Sequence, residues 1–418
     1  MKHTRIIAAL LASCSIACTS CGSAENLMKA AGLTPTVTIP DAPADDYSHL
    51  DAFTGQLWST VCQKMGDENI LISPLSAYIA LMMCANGAEG DTLAAFGLDE
   101  AALDGINADI AALVGWLADN KGSTDLTVAN SVWVQEGYEV SPTYLGVLAD
   151  SFAAEAFSAD LPSSVGKVNS WIEDKTRGLI KDMLDKIEPD TVMLLINALY
   201  MKAMWDHDFD ADDTYDQTFT AWDGSFATTE FMHNGTRNEQ IIDNDDMVGI
   251  VMPYDDEKLA MVAVMPQSED VHLDELSAMF DITNGGKYSF KGLADSAKSE
   301  RTRLSFPKFT VETSVTLSDV LCGMGLEIAF TDAADFSKMS ASGEPELFIG
   351  DVLQNAKIIV DEEGTEAAAA TVIMVDATSA FIEEKEPRVL EFNRPFIYAV
   401  IDQVSGAVLF CGQYNTAR

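Results

Sequence analysis

Groups able to act as nucleophiles, general bases or metal ligands are few and scattered in this 418-residue chain. Its five histidines, His3, His49, His207, His233 and His272, include no pair spaced as metal ligands on one helix face. No Gly-rich phosphate loop, no GxSxG elbow and no HExxH motif is present. Adjacent acids such as Asp245–Asp246 and Asp255–Asp256 read as solvated loops in so acidic a protein. Asn234-Gly235-Thr236 matches a glycosylation acceptor but reads as a turn. The pattern does not look like that of an enzyme, which ranks as a distant third reading, and no metal or cofactor is expected. Two stretches remain: a run of cysteines near the start, and EEGTEAAAAT, the ten residues Glu362, Glu363, Gly364, Thr365, Glu366, Ala367, Ala368, Ala369, Ala370 and Thr371.

The second stretch carries two structural readings. Its Glu/Ala content favours helix. Yet from Thr365 onward every second residue is small or apolar, through Ala367, Ala369, Thr371, Ile373 and Val375, while Glu366 and Asp376 fall in the other set. That alternation is what a half-buried strand requires. The segment can therefore be an exposed loop or helix in one state and a strand in another.

The N-terminal stretch reads as an export signal over residues 1–21. Lys2 and Arg5 precede an apolar run over 6–12, too short to span a bilayer. Cys14, Cys18 and Cys21 follow small residues, a pattern that resembles a bacterial lipoprotein signal in which one cysteine is acylated. Residues 22–48, with Pro35, Pro40 and Pro43, read as a flexible tether. The expected location is a cell-surface or periplasmic lipoprotein, or a secreted protein, with the membrane touched only through that anchor. Removing residues 1–21 leaves 23 basic against 66 acidic residues, a net charge of −43. No basic patch remains for nucleic acid. Cys62, Cys84, Cys322 and Cys411 are widely spaced in apolar contexts and read as buried thiols.

Residues 49–418 read as one large domain without internal linkers. Helical patterns fall at 50–64, 74–85, 142–151, 165–177 and 317–324, and strand patterns at 126–135, 192–201, 249–253, 259–266, 302–306 and 396–402. Long helices come first and strands dominate the C-terminal half, an α+β arrangement.

Several segments, in order, resemble the serpins. They are NILISPLSAYIALMMCANGAEGDT at 69–92, LTVANSVWVQ at 126–135, VNSWIEDKTRGLIKDML at 168–184, LINALYMKAMWDHDFD at 195–210, LSFPKFTVETS at 304–314, and DEEGTEAAAAT at 361–371, followed by FNRPFIYAVID and VLFCGQ. The resemblance implies three β-sheets, eight or nine helices and an exposed reactive-centre loop over about residues 362–391. It implies a monomer that forms a covalent complex with a target serine protease, with papain-like cysteine proteases as a second class of partner. After cleavage, the loop would insert as a strand into the main sheet, a known example of strand addition and released strain. The alternative within the fold is a non-inhibitory member that serves as protease substrate or binding module.

Carried over residue by residue, the resemblance makes residues 362–371 the hinge and Thr378–Ser379 the reactive bond. A threonine before the bond is similar to sites for elastase-like or subtilisin-like proteases. The stretch from Gly364 to Pro395 is longer than in familiar members, so Ala377, Ala380 and Phe381 stand as other cut positions if the register shifts. Ser73, Ser76 and Asn197 match the shutter beneath the main sheet, with Gln354 where the family has histidine. Trp205 and the pair Lys308–Glu362 match the breach, where insertion begins. The inhibitor reading follows from the hinge, whose inward positions carry no charge or bulk.

Overall fold

The computed structural model describes residues 6–7, 24–44, 46–345, 347–365 and 386–417. Among the described residues there are eight helices of six residues or more, and two four-residue ones at Leu27–Ala30 and Ser318–Leu321. Local sequence explains the longer ones. Ser73 caps Pro74–Ala85 by accepting the Ser76 N–H, and Pro74 sits in the first turn, where no intrahelical partner is lost. Asp99 caps Glu100–Ala118 in the same way. This second helix, absent from the sequence reading, buries Leu103, Ile106, Ile110, Leu113, Val114 and Leu117.

The main sheet has seven strands, in the order Phe309–Thr316, Leu353–Val360, Gly364–Thr365, Met193–Met204, Asp125–Gln135, Glu155–Ala159 and Glu25–Asn26. Period-two alternation divides its faces. Val132, Val134, Leu199, Met201 and Ala203 join the large core with helix Pro74–Ala85, whereas Trp133 and Ile196 pack with Val168 and Ile172 of the crossing helix Val165–Lys175. The strands of the two other expected sheets join into one ten-stranded ladder, because Arg237–Asp243 pairs with Met247–Pro253 on one side and Lys298–Pro307 on the other. Its central strands Leu259–Pro266 and Phe396–Asp402 are buried throughout, as sheets covered on both faces require.

One expectation is corrected. Residues 22–48 do not form a free tether over their described part. Glu25–Asn26 adds to the edge strand Glu155–Ala159, Met28 is 1 % exposed, and Ala24 packs against the cluster that holds Trp133, Val168 and Ile172. Thr38 lies so close to helix Glu100–Ala118 that a Cβ on Gly115 would stand 2.0 Å from the Thr38 carbonyl oxygen. The apolar residues interspersed among the prolines supply this packing, which a reading by composition alone misses. Cys62, Cys84 and Cys411 are buried thiols, and Cys322 is half-buried.

Close packing of helix Ser48–Met65 gives a direct test. A Cβ at Gly55 would stand 2.0 Å from the backbone oxygen of Phe280. Gly55→Val is expected to lower stability by about 2–3 kcal/mol, read as an earlier midpoint in urea unfolding.

Candidate functional site

The site lies in the middle of the seven-stranded sheet. Leu353–Val360 pairs with Phe309–Thr316 on its outer side, and Met193–Met204 with Asp125–Gln135 on its own. Their facing edges are joined, among the described residues, only by Gly364–Thr365 at one end. Below that entry lies a cavity of about 700 Å³ lined by Ser76, Asn197, Leu199, Gln354 and Ala356.

At the entry, Thr365 stands opposite Ala203 and Val360, and Gly364 opposite Met204. A Cβ on Gly364 would sit 2.1 Å from the Ala203 carbonyl oxygen, so the close approach requires glycine. Thr365 is buried, and its hydroxyl lies 2.6 Å from the Tyr254 hydroxyl. Thr365 thus faces the same side as Ala203. Glu366, Ala367, Ala368, Ala369, Ala370 and Thr371 lie outside the described residues, as do Thr378, Ser379, Cys14, Cys18 and Cys21.

Trp205 holds the turn that leads into the entry. Its indole N–H donates to the Asp361 carbonyl at 2.9 Å, its backbone N–H donates to the Glu363 carbonyl at 2.9 Å, and its ring stacks on Tyr254 with centroids 4.7 Å apart. Asp361 in turn accepts the N–H groups of Glu363 and Gly364. Lys308 Nζ stands 3.0 Å from Glu362, whose side chain is 15 % exposed, so this pair is screened less than a surface pair. Burial raises the Glu362 carboxyl, but hydrogen bonds from its own backbone N–H and from Lys308, with the Lys308 charge, outweigh it and hold it below the usual range. For Lys308 burial acts downward, and the Glu362 hydrogen bond and charge outweigh it, so its pKa rises.

Deeper in the gap a chain of side-chain hydrogen bonds crosses from one bordering strand to the other. Gln354 on Leu353–Val360 accepts the Ser73 N–H at 3.0 Å and donates to the Ser73 carbonyl at 2.8 Å. Ser73 caps Ser76, the Ser76 hydroxyl donates to Asn197, and Asn197 donates to Asn130 at 2.6 Å. Asn130 ends the chain on the Phe152 carbonyl at 2.7 Å. The clamp at Gln354 needs a donor and an acceptor side by side, which an amide provides on one plane.

Ser73, Ser76, Asn197 and Gln354 therefore meet in one hydrogen-bond chain, and Lys308 pairs with Glu362 while Trp205 bonds the neighbouring Asp361 and Glu363 carbonyls. Sequence reasoning missed Asn130, Tyr254 and Asp361. Asn130 left a signal, a lone amide inside the apolar strand LTVANSVWVQ. Tyr254 and Asp361 left none, because their roles depend on strands distant in sequence.

The Serpin (serine protease inhibitor) family model matches residues 48–417. The chain belongs to the serpin family, and its fold is the serpin fold. An uncharacterized serpin-like protein of Thermococcus kodakarensis is 32 % identical over 376 residues, covering 87 % of this chain and 84 % of that protein. Among solved structures, the thermophilic serpin Tengpin in the native state aligns with a TM-score of 0.81 and 31 % identity, covering 94 % of this chain and 100 % of that one. Tengpin in the latent state aligns with a TM-score of 0.73 and 29 % identity, covering 90 % and 100 %.

The ion pair at the entry yields a pH prediction. A depressed Glu362 pKa stabilises the closed entry above the usual carboxylate range and loses that contribution as pH falls through the depressed value; the raised Lys308 pKa contributes below its usual value and is lost only at strongly alkaline pH. Acid titration followed by the fluorescence difference between wild type and Trp205→Phe is expected to show one transition below the usual carboxylate range. Lys308→Ala should move that transition to higher pH, and an unmoved transition would remove Lys308 from the entry. At the clamp, Gln354→Ala leaves the Ser73 N–H unpaired, while the Ser73 carbonyl keeps the Ala77 N–H, and is expected to cost about 1–3 kcal/mol in urea unfolding.

Proposed function

We propose that the protein is an irreversible suicide-substrate inhibitor of serine proteases, with elastase-like or subtilisin-like enzymes as the preferred class. The observation that carries this reading is the hinge itself. Gly364 and Thr365 are already paired on both sides at the mouth of a gap whose bordering strands are otherwise unjoined among the described residues.

In the proposed reaction the protease serine Oγ attacks the Thr378 carbonyl. An ester forms, the Thr378–Ser379 C–N bond breaks, and the Ser379 amine leaves with a proton supplied by the protease's own acid–base residue. Release of the protease would require water to split the ester. Residues 366–378 instead follow Thr365 into the gap, gaining ladder partners on two sides and placing small side chains inward. The chain thereby carries the attached protease along the sheet before hydrolysis. A charge at an inward position would oppose this, because an unpaired charge is costly to bury. Papain-like cysteine proteases, which form a thioester by the same attack, are the second partner class.

The export signal, supported by Lys2, Arg5, the apolar run over 6–12 and the cysteines after it, places this activity outside the cytoplasm, on a lipid anchor or in free secretion.

Incubation with elastase and with subtilisin is expected to give a complex that survives SDS, together with a C-terminal fragment beginning at Ser379. Complete turnover to cleaved protein without a complex would instead establish the non-inhibitory alternative. Thr365→Arg, aimed at Tyr254, and Ala367→Arg should each convert the inhibitor into a substrate. An unchanged stoichiometry of inhibition in both would sink the insertion step.

A further inference from the structure

Behind the hinge entry, on the side away from the gap, two turns are fastened to one another and to the end of the bordering strand. The ladder between Asp125–Gln135 and Met193–Met204 stops at the pair Asp125 and Lys202, so among the described residues Met204 has no strand partner on that side. The Ser123 hydroxyl takes that place, accepting the Met204 N–H at 2.9 Å, while the Met204 carbonyl accepts the Asp255 N–H at 3.0 Å. The Asp255 carboxylate closes the arrangement by accepting the Ser123 N–H and the Ser123 hydroxyl, each at 2.9 Å. Gly122 permits the approach: its φ is +57°, and a Cβ there would stand 2.7 Å from Asp255 Oδ1.

A second link runs beside the first. Thr124 donates to the buried Asp256 carboxylate at 3.0 Å, whose other oxygen accepts the Lys258 and Leu259 N–H groups at 3.0 and 2.8 Å. Lys258 is itself buried, donates to the Asp119 carbonyl at 2.7 Å and lies 4.1 Å from the centre of the Trp116 ring. The acidic pair Asp255–Asp256, which composition reads as a solvated loop, therefore binds the turn over 119–124 to the turn over 254–258. A carboxylate that accepts several N–H and O–H donors at once holds geometry more firmly than an exposed ion pair.

The side chain of Asp255 is engaged with Ser123, and the groups that meet the hinge are its neighbours. Tyr254 precedes it and places its hydroxyl against Thr365. Trp205 follows Met204, bonds the Asp361 and Glu363 carbonyls and stacks on Tyr254. We infer that Asp255, acting through Ser123, is a positioning residue for strand entry: it fixes the end of Met193–Met204 from behind, so that Trp205 and Tyr254 stand at the spacing the hinge requires. The inference rests on the inhibitor reading above, in which insertion and ester hydrolysis compete once the protease is attached. A strand end free to shift presents Ala203 and Met204 poorly to Thr365 and Gly364, the first pairs of the entering strand. Insertion is then delayed, and hydrolysis gains.

The test compares wild type with Ser123→Ala, Asp255→Ala and Ser123→Thr, the last of which keeps the hydroxyl. Gly55→Val, far from the entry in sequence and packing, controls for general loss of stability. Two quantities are measured: the ratio of cleaved protein to SDS-stable complex with subtilisin, and amide hydrogen exchange over residues 200–206. Ser123→Ala and Asp255→Ala are expected to raise the ratio several-fold and to speed exchange at Met204. Ser123→Thr should hold both at wild-type values, and Gly55→Val should leave the ratio unchanged. An unchanged ratio or unchanged exchange in both alanine variants overturns this inference while leaving the inhibitor reading intact. So does a failure of Ser123→Thr to rescue, or an equal rise in Gly55→Val. Wild-type protein that is cleaved without trapping subtilisin removes the inhibitor reading, and this inference falls with it.

Discussion

Two strands that could pair with each other are held apart, and the rest of the molecule is arranged around that separation. Leu353–Val360 and Met193–Met204 face one another across a gap of about 700 Å³, with Gly364–Thr365 bridging them at one end. A strand edge carries backbone donors and acceptors that gain from pairing, so an incomplete sheet stores free energy that a suitable strand can release. The hydrogen-bond chain from Gln354 through Ser73, Ser76 and Asn197 to Asn130 spans the gap from beneath. Because Ser73, Ser76, Asn130 and Gln354 are buried and Asn197 is half-buried, breaking one link leaves polar groups short of partners, which makes the chain a strong restraint between the two strands.

The entry and the interior chain lie at two depths of one gap. Trp205, Tyr254 and Asp361 fix the geometry of the turn, and Lys308 holds Glu362 by charge. Gly364 permits the backbone to approach Ala203, and Thr365 commits the next inward side chain to the core side. Helix Pro74–Ala85, whose first turn supplies Ser73 and Ser76, couples the sheet to the core beneath it.

The packing of residues 24–38 changes how the N-terminus bears on function. Composition alone reads residues 22–48 as a spacer, from Pro35, Pro40 and Pro43 among aspartate, alanine and serine. Yet the few apolar side chains find specific sites, and the backbone of Glu25–Asn26 finds an edge strand. An edge strand pairs with whatever backbone lies near and is extended, which composition does not report. A segment expected to hold the domain away from a surface instead belongs to the domain.

The sequence by itself determined the family, the α+β class, the helix openings at Ser73–Pro74, and the period-two alternation that sorts Thr365 from Glu366. These are local signals, carried by residue type and spacing along one stretch of chain. It also supplied Ser73, Ser76, Asn197, Gln354, Trp205, Lys308 and Glu362, but only through resemblance, since nothing in their spacing tells that they meet. Tertiary structure alone decided that Gln354 clamps the Ser73 backbone and that Asn130 extends the chain. It alone recruited Tyr254 to Thr365, and it paired Glu25–Asn26 with the edge strand Glu155–Ala159. Each of these joins strands or helices tens to hundreds of residues apart, and such contacts are set by sheet order and register. One residue of slip would turn every one of those side chains to the opposite face.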